Sequence, residues 1–219
     1  MKRQKSSHNS FLEIGGGEWL IGEAQAGDII LRLLSDLSIP RAANILIPGV
    51  GKSTMYLSLT RQGYTNITLT DIEDVAIDFQ NELITRCHLE DRVRVIDVKM
   101  FSPKGKFRVV IDKSFLDVFL RQGGSRRMMN DIHATMSPDG VFLAISMFHR
   151  SWTRLLGPRF NHIAYQSIGT PSYNNGKRPR KRITPISVIV ASNHDPVEHL
   201  VGFTDIRGCA FPPLTADDL

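Results

Sequence analysis

The sequence is short of cysteine and has no long apolar run, and each shortage closes a class of explanation. Cys87 and Cys209 are its two cysteines, far apart in the chain and in no Cys-x-x-Cys spacing. Neither a disulfide framework nor a metal site is therefore expected. Free thiols suit a reducing compartment, which predicts the cytoplasm, or the nucleus if a basic run described below works as an import signal. No stretch approaches the roughly 18 to 20 apolar residues that a membrane span needs. No apolar signal core follows the basic start Met1-Lys2-Arg3-Gln4-Lys5. A soluble protein with no membrane partner is the expectation.

Linker composition is also missing, so the 219 residues are expected to form one domain over 11–219 behind a polar, disordered basic tail over 1–10. With 42% hydrophobic and 22% charged residues, the chain can bury a core without staples. Its net charge of +5 is unevenly spread. Lys2, Arg3 and Lys5 lie in the tail, and Lys177, Arg178, Arg180, Lys181 and Arg182 form one run; these eight cations exceed the total, so the rest of the chain stands at −3. A phosphate-binding surface on the fold itself is not implied. The Lys177–Arg182 run can meet nucleic acid or an acidic protein face, or be a solvated hairpin tip.

Apolar periodicity gives the architecture. Ile29, Ile30, Leu33, Leu34 and Leu37 recur at helical spacing before Pro40. Asn44-Ile45-Leu46-Ile47-Pro48 reads as a strand, Gly49-Val50-Gly51 as the turn into a helix beginning near Ser53, and Gly63 as that helix's end. A second strand, Asn66–Thr70, leads to a helix from Asp74 with Val75, Phe79 and Leu83 on one face. Further strands are predicted at Val93–Asp97, Phe107–Asp112 and Val141–Met147. Met128, Met129, Ile132 and Met136 mark a helix before the turn Ser137-Pro138-Asp139-Gly140. Ile163–Ser167 and Ile183–Ser192 then read as two strands joined by hairpin or loop material. Strands alternating with helices imply a parallel sheet covered on both faces. Closed by an antiparallel hairpin, the pattern predicts an α/β, Rossmann-like seven-stranded sheet.

Ligands of such sheets bind beyond the carboxyl ends of the strands near the topological switch point. Four of those ends carry suggestive residues. Gly49 and Gly51 would let a ligand approach the backbone at a helix start. Asp71, twenty residues after Gly51, can accept hydrogen bonds from both hydroxyls of a ribose, or be a helix N-cap or turn residue. Asp97-Val98 can meet an adenine amino group and ring. Asp112-Lys113-Ser114 would face the reacting centre. Gly51-Lys52-Ser53-Thr54 looks like the end of a phosphate-binding P-loop, but that pattern requires glycine at the position of Leu46, inside the strand. Nucleotide hydrolysis is set aside on that ground.

A family resemblance rests on three segments: Asn44 to Ser53; Gly63-Tyr64-Thr65-Asn66-Ile67 with Asp71-Ile72; and Val109-Val110-Ile111-Asp112-Lys113-Ser114-Phe115-Leu116-Asp117. They resemble the class I methyltransferase-like proteins that modify lysines of translation elongation factor 1A, over roughly Gly17 to Asn193. Glu18-Trp19 is similar to a Glu-Trp pair of that family near the cofactor. The resemblance implies S-adenosyl-L-methionine as cofactor, with Gly49 and Gly51 under its methionine part, Asp71 on the ribose, Asp97 and Val98 at the adenine, and Trp19, Ser53, Ile72 and Lys113 also in contact. It implies an elongation factor 1A-like protein substrate and gives Asp112, Lys113 and Asp117 to the reacting side. The chain departs from the family at Val50 and Lys52, where Cys and Asn are usual, and at Ser114-Phe115, where Gly-Thr is usual.

Methyl transfer from a sulfonium is an in-line displacement, so the protein mainly has to hold the nucleophile. A lysine acceptor with a reference pKa near 10.4 needs about 4 kcal/mol to present its neutral amine at pH 7. Asp112 or Asp117 could orient the ammonium but would also favour its charged form. The Asn/Asp-Pro-Pro-aromatic motif used on amide and base nitrogens is absent after the fourth strand. RNA-oxygen and small-molecule acceptors stay open, as does a non-catalytic binding subunit. His149 and His162 are expected near the substrate side, in solvated or core roles.

Overall fold

A computed structural model describes residues 20–97, 106–122, 124–147, 149–169, 186–194, 197 and 199–205. Trp19, Val98, Cys209, the tail and the Lys177–Arg182 run lie outside them. The elements in chain order are α1 (Glu23–Asp36), β1 (Ile45–Pro48), α2 (Tyr56–Arg61), β2 (Ile67–Asp71), α3 (Asp74–Arg86), β3 (Val93–Asp97), β4 (Phe107–Lys113), α4 (Phe115–Gln122), α5 (Ser125–Thr135), β5 (Met136–Ser146), α6 (His149–Leu156), β6 (His162–Gly169), β7 (Ile186–Ser192) and the two-residue β8 (Thr204–Asp205).

One sheet holds all the strands in the order β3-β2-β1-β4-β5-β7-β6-β8. The pairs from β3 through β5 are parallel, and β7 runs antiparallel to both β5 and β6. This is the predicted seven-stranded sheet with its antiparallel hairpin, extended by β8 at the edge. Period-two alternation divides the core into two layers. Ile45, Ile47, Val109, Ile111, Leu143 and Ile145 pack with α1, α2 and α3, whereas Leu46, Val110, Phe142 and Ala144 pack with α4, α5 and α6. The helices change face between β1 and β4, and that is the switch point where a crevice opens in folds of this kind.

The structure corrects several expected boundaries. The second helix starts at Tyr56 rather than near Ser53, because the carbonyls of Gly51 and Ser53 both accept hydrogen bonds from Gln80 Nε2, each at 2.9 Å, and are diverted from a helical ladder. Met136 opens β5 instead of closing the preceding helix. Ser137–Gly140 does make an excursion, but inside the strand: Phe107 pairs with Met136 and Val109 with Val141, so the extra residues bulge out. The Arg108–Asp139 ion pair at 3.1 Å and the Ser137 hydroxyl, which donates to the Phe107 carbonyl at 3.2 Å, hold that bulge. Helices α4 and α6 were not expected from the sequence.

Candidate functional site at the switch point

The loop after β1 is built around two glycines with different surroundings. Both have left-handed backbone, φ +56° at Gly49 and +54° at Gly51, where glycine is unstrained. A Cβ on Gly49 would fall 2.0 Å from Cδ2 of Phe115, so its missing side chain makes room for a ring. A Cβ on Gly51 would meet nothing within 4 Å, so that side of the loop is open. From below, Gln80 holds the loop in place: besides its two bonds to loop carbonyls, its Oε1 accepts the Tyr56 hydroxyl at 2.8 Å. Gln80 and Tyr56 are fully buried, and burial foremost, then Cys87, pushes the Tyr56 phenol well above its ordinary pKa. Sequence reading missed Gln80, since a glutamine on a helix carries no motif.

Asp71 ends β2 and is 8% exposed. Its Oδ2 accepts the Gly51 N–H at 2.7 Å, and Oδ1 accepts those of Ile72 and Glu73 at 2.8 and 3.0 Å. One carboxylate thus ties the glycine loop to the turn that leads into α3: Asp71 is the turn residue of the alternative raised from the sequence rather than the helix cap, since the N-cap of α3 is Glu73 and carries no side-chain capping bond. Each carboxylate oxygen can accept twice, which leaves Oδ2 capacity for a further donor. Asp97 is the register partner of Asp71 on β3, so the two acids stand side by side at the strand ends. Ile72 is an exposed apolar residue beside them, at 55%. Among the P-loop-like residues, Lys52 lies 6.0 Å from the Phe79 ring and Ser53 turns to Glu23.

Across the switch point the acids turn inward. Asp112 is completely buried; its two oxygens accept the N–H groups of Phe115 and Leu116 at 2.9 and 3.0 Å and so cap α4. Burial foremost, then the neighbouring Asp117 carboxylate, raises its pKa well above the ordinary range, against the pull of the two N–H donors. Asp117 is buried too, accepting the Ser146 hydroxyl and the Met147 N–H at 3.2 Å, while Trp152 Nε1 donates to Ser146 Oγ at 2.8 Å. In this geometry both carboxylates serve the packing of α4 and α6 on the sheet, and neither is presented at the surface to an incoming ammonium. Lys113, 10% exposed at its side chain, pairs with Glu23 Oε1 at 3.2 Å, and Glu23 Oε2 accepts the Ser53 hydroxyl at 2.8 Å. Glu23 therefore joins α1, the glycine loop and the end of β4. Nothing in its sequence position marked it beyond an acid in a first helical turn.

His162 corrects its expected position. It begins β6 opposite Ser192, which pairs across β7 with Val141 near the start of parallel β5. That is the end of the sheet away from the crevice. His149 begins α6 just after the carboxyl end of β5. The structure thus brings together Gly49, Gly51, Ser53, Asp71, Ile72, Asp97 and Lys113 at the carboxyl ends of β1 to β4.

Solved structures share this architecture. A 1,6-didemethyltoxoflavin-N1-methyltransferase from Burkholderia thailandensis, with bound substrate and S-adenosylhomocysteine, superposes with a TM-score of 0.56 at 19% identity, covering 79% of this chain and 78% of that one. This is the class I methyltransferase fold. Among curated proteins, the chain is 28% identical over 154 residues to the Neurospora crassa methyltransferase srdJ, spanning 66% of this chain and slightly under two thirds, 65%, of that protein. It is 25% identical over 189 residues to the Danio rerio EEF1A lysine methyltransferase 2, spanning 78% and 77%. No protein-family model matches the chain.

Proposed function

We propose that the chain is an S-adenosyl-L-methionine-dependent methyltransferase acting on a protein lysine. The observation that carries the cofactor reading is the open cradle at Gly51, flanked by Asp71, Asp97 and the exposed Ile72. Apolar surface beside carboxylate acceptors matches a nucleoside: adenine against Ile72, ribose hydroxyls toward Asp71, the base's amino group toward Asp97. Ser53 and Lys113, joined through Glu23, stand at the end where the amino-acid part belongs. When bound, the cofactor supplies an electrophilic methyl on sulfur.

The residues themselves position and exclude. Gln80 and Asp71 hold the glycine loop so that its open side persists, and the Glu23–Lys113 pair ties α1 across the same end of the sheet. Since Asp112 and Asp117 point inward, the acceptor ammonium is expected to lose its proton to water rather than to either carboxylate. The lysine assignment is supported by the similarity to the zebrafish protein; that the Burkholderia enzyme holds a small molecule supports the second reading, a small-molecule acceptor. Incubating the protein with S-adenosyl-L-methionine and purified elongation factor 1A, then mapping modified peptides by mass spectrometry, tests the first. Methyl groups on a lysine are the expected result; cofactor binding without any modified lysine would favour the second.

A further inference from the structure

Phe115 occupies an unusual place. It begins α4, whose helix packs on one face of the sheet, yet its ring crosses the switch point to lie on Gly49 of the β1 loop, on the other side of the crevice. Four features fix it there. Ser114 has φ +66°, a left-handed conformation uncommon for a non-glycine residue, which redirects the chain immediately after β4. The Phe115 N–H is bound to Asp112, anchoring the backbone. Gly49 leaves the space the ring fills. The Phe119 ring meets it edge-on, with centroids 5.2 Å apart and planes at 69°. Phe115 nevertheless remains partly exposed.

Asp112 and Asp117, the acids nearest in sequence, are withdrawn into the core. Apart from Lys113, whose charge is paired with Glu23, what β4 and α4 present toward the glycine loop is an aromatic ring. We propose that Phe115 is the residue of this chain that contacts the positively charged sulfonium end of S-adenosyl-L-methionine, its π face stabilising the charge that S-adenosylhomocysteine lacks. This rests on the cofactor reading above. A cation over an aromatic face gains electrostatic attraction that an aliphatic side chain of similar volume does not offer. The ring thus makes the site prefer the charged donor over the neutral product, which assists exchange of one for the other after each transfer.

The test is calorimetric titration of the full-length protein with each ligand, comparing wild type with Phe115→Leu, Phe115→Tyr and Phe115→Thr. The readout is the ratio of the two dissociation constants within one variant, which cancels any change in the folded fraction. Phe115→Leu keeps apolar bulk and is expected to shift the ratio toward S-adenosylhomocysteine by about three- to tenfold. Phe115→Tyr is expected to keep the wild-type ratio. Phe115→Thr is expected to shift it like Leu, and keeps the test alive if Leu fails to fold. An unchanged ratio in Leu and Thr would overturn the proposal, as would equal loss of both ligands in a folded variant. Failure of wild type to bind either ligand would instead remove the cofactor reading itself.

Discussion

At the scale of single residues, the two loop glycines look alike in sequence and differ in what their missing side chains permit. Alanine at Gly51 meets open space and suffers only the left-handed backbone, about 1–2 kcal/mol. At Gly49 it also collides with the Phe115 ring, and overpacking adds about 1–3 kcal/mol. Urea unfolding should rank Gly49→Ala as the more damaging, and Phe115→Thr should recover the excess in the double variant, the coupling expected of side chains in contact. Asp112 yields a pH prediction. Its carboxyl is held above the ordinary range by burial and by Asp117, so the native state binds that proton more tightly than the unfolded chain. The associated stability is complete below about pH 4, near the unfolded value, and is lost as pH rises through the folded pKa. Relative to Asp112→Asn, which cannot ionise, wild type should therefore lose stability steadily from about pH 4 upward. Parallel pH profiles of the two proteins would contradict the buried-carboxyl account. The sequence placed Asp112 correctly at a strand end, but periodicity cannot say whether such a carboxylate faces a ligand or the first turn of the next helix.

At the scale of elements, what could be read depended on length or on glycine punctuation, as in the six-residue α2, bracketed by Gly51 and Gly63. The strands and the longer α1, α3 and α5 show enough periods to be recognised. The eight-residue α4 and α6 are too short for the pattern to stand out, although Leu116, Trp152, Leu155 and Leu156 are buried beneath them. The Ser137–Gly140 turn signal was real, yet pairing on both sides absorbed it into β5 as a bulge. Likewise Gly49 and Gly51 announced a loop, while Gln80, twenty-nine residues beyond Gly51, which holds it, became visible only when α3 was laid against it. Gln80→Leu removes three hydrogen bonds from a buried side chain and leaves the Tyr56 hydroxyl and loop carbonyls unsatisfied. A loss of about 2–4 kcal/mol is expected, with weaker S-adenosyl-L-methionine binding even where the variant remains folded. Chemical denaturation and calorimetry together separate the two effects; unchanged affinity in folded Gln80→Leu would show that the loop keeps its shape without the clamp.

At the scale of the whole molecule, the alternation of strands and helices was sufficient for the fold class, because a parallel sheet with both faces covered leaves few other arrangements. The acceptor was not legible in the same way, since residues around a cofactor are shared by enzymes acting on unlike substrates. Among the described residues no helix is long and apolar enough to cross a membrane. The central claim is that the crevice between β1 and β4 binds S-adenosyl-L-methionine. Calorimetric titration of the folded wild-type protein with that ligand, beside Ile72→Asp, tests it most directly: Ile72 is exposed, so the substitution spares the core while placing a charge where adenine is expected. Saturable single-site binding, weakened at least tenfold in Ile72→Asp, is the predicted result. No measurable binding by well-folded wild-type protein would contradict the account.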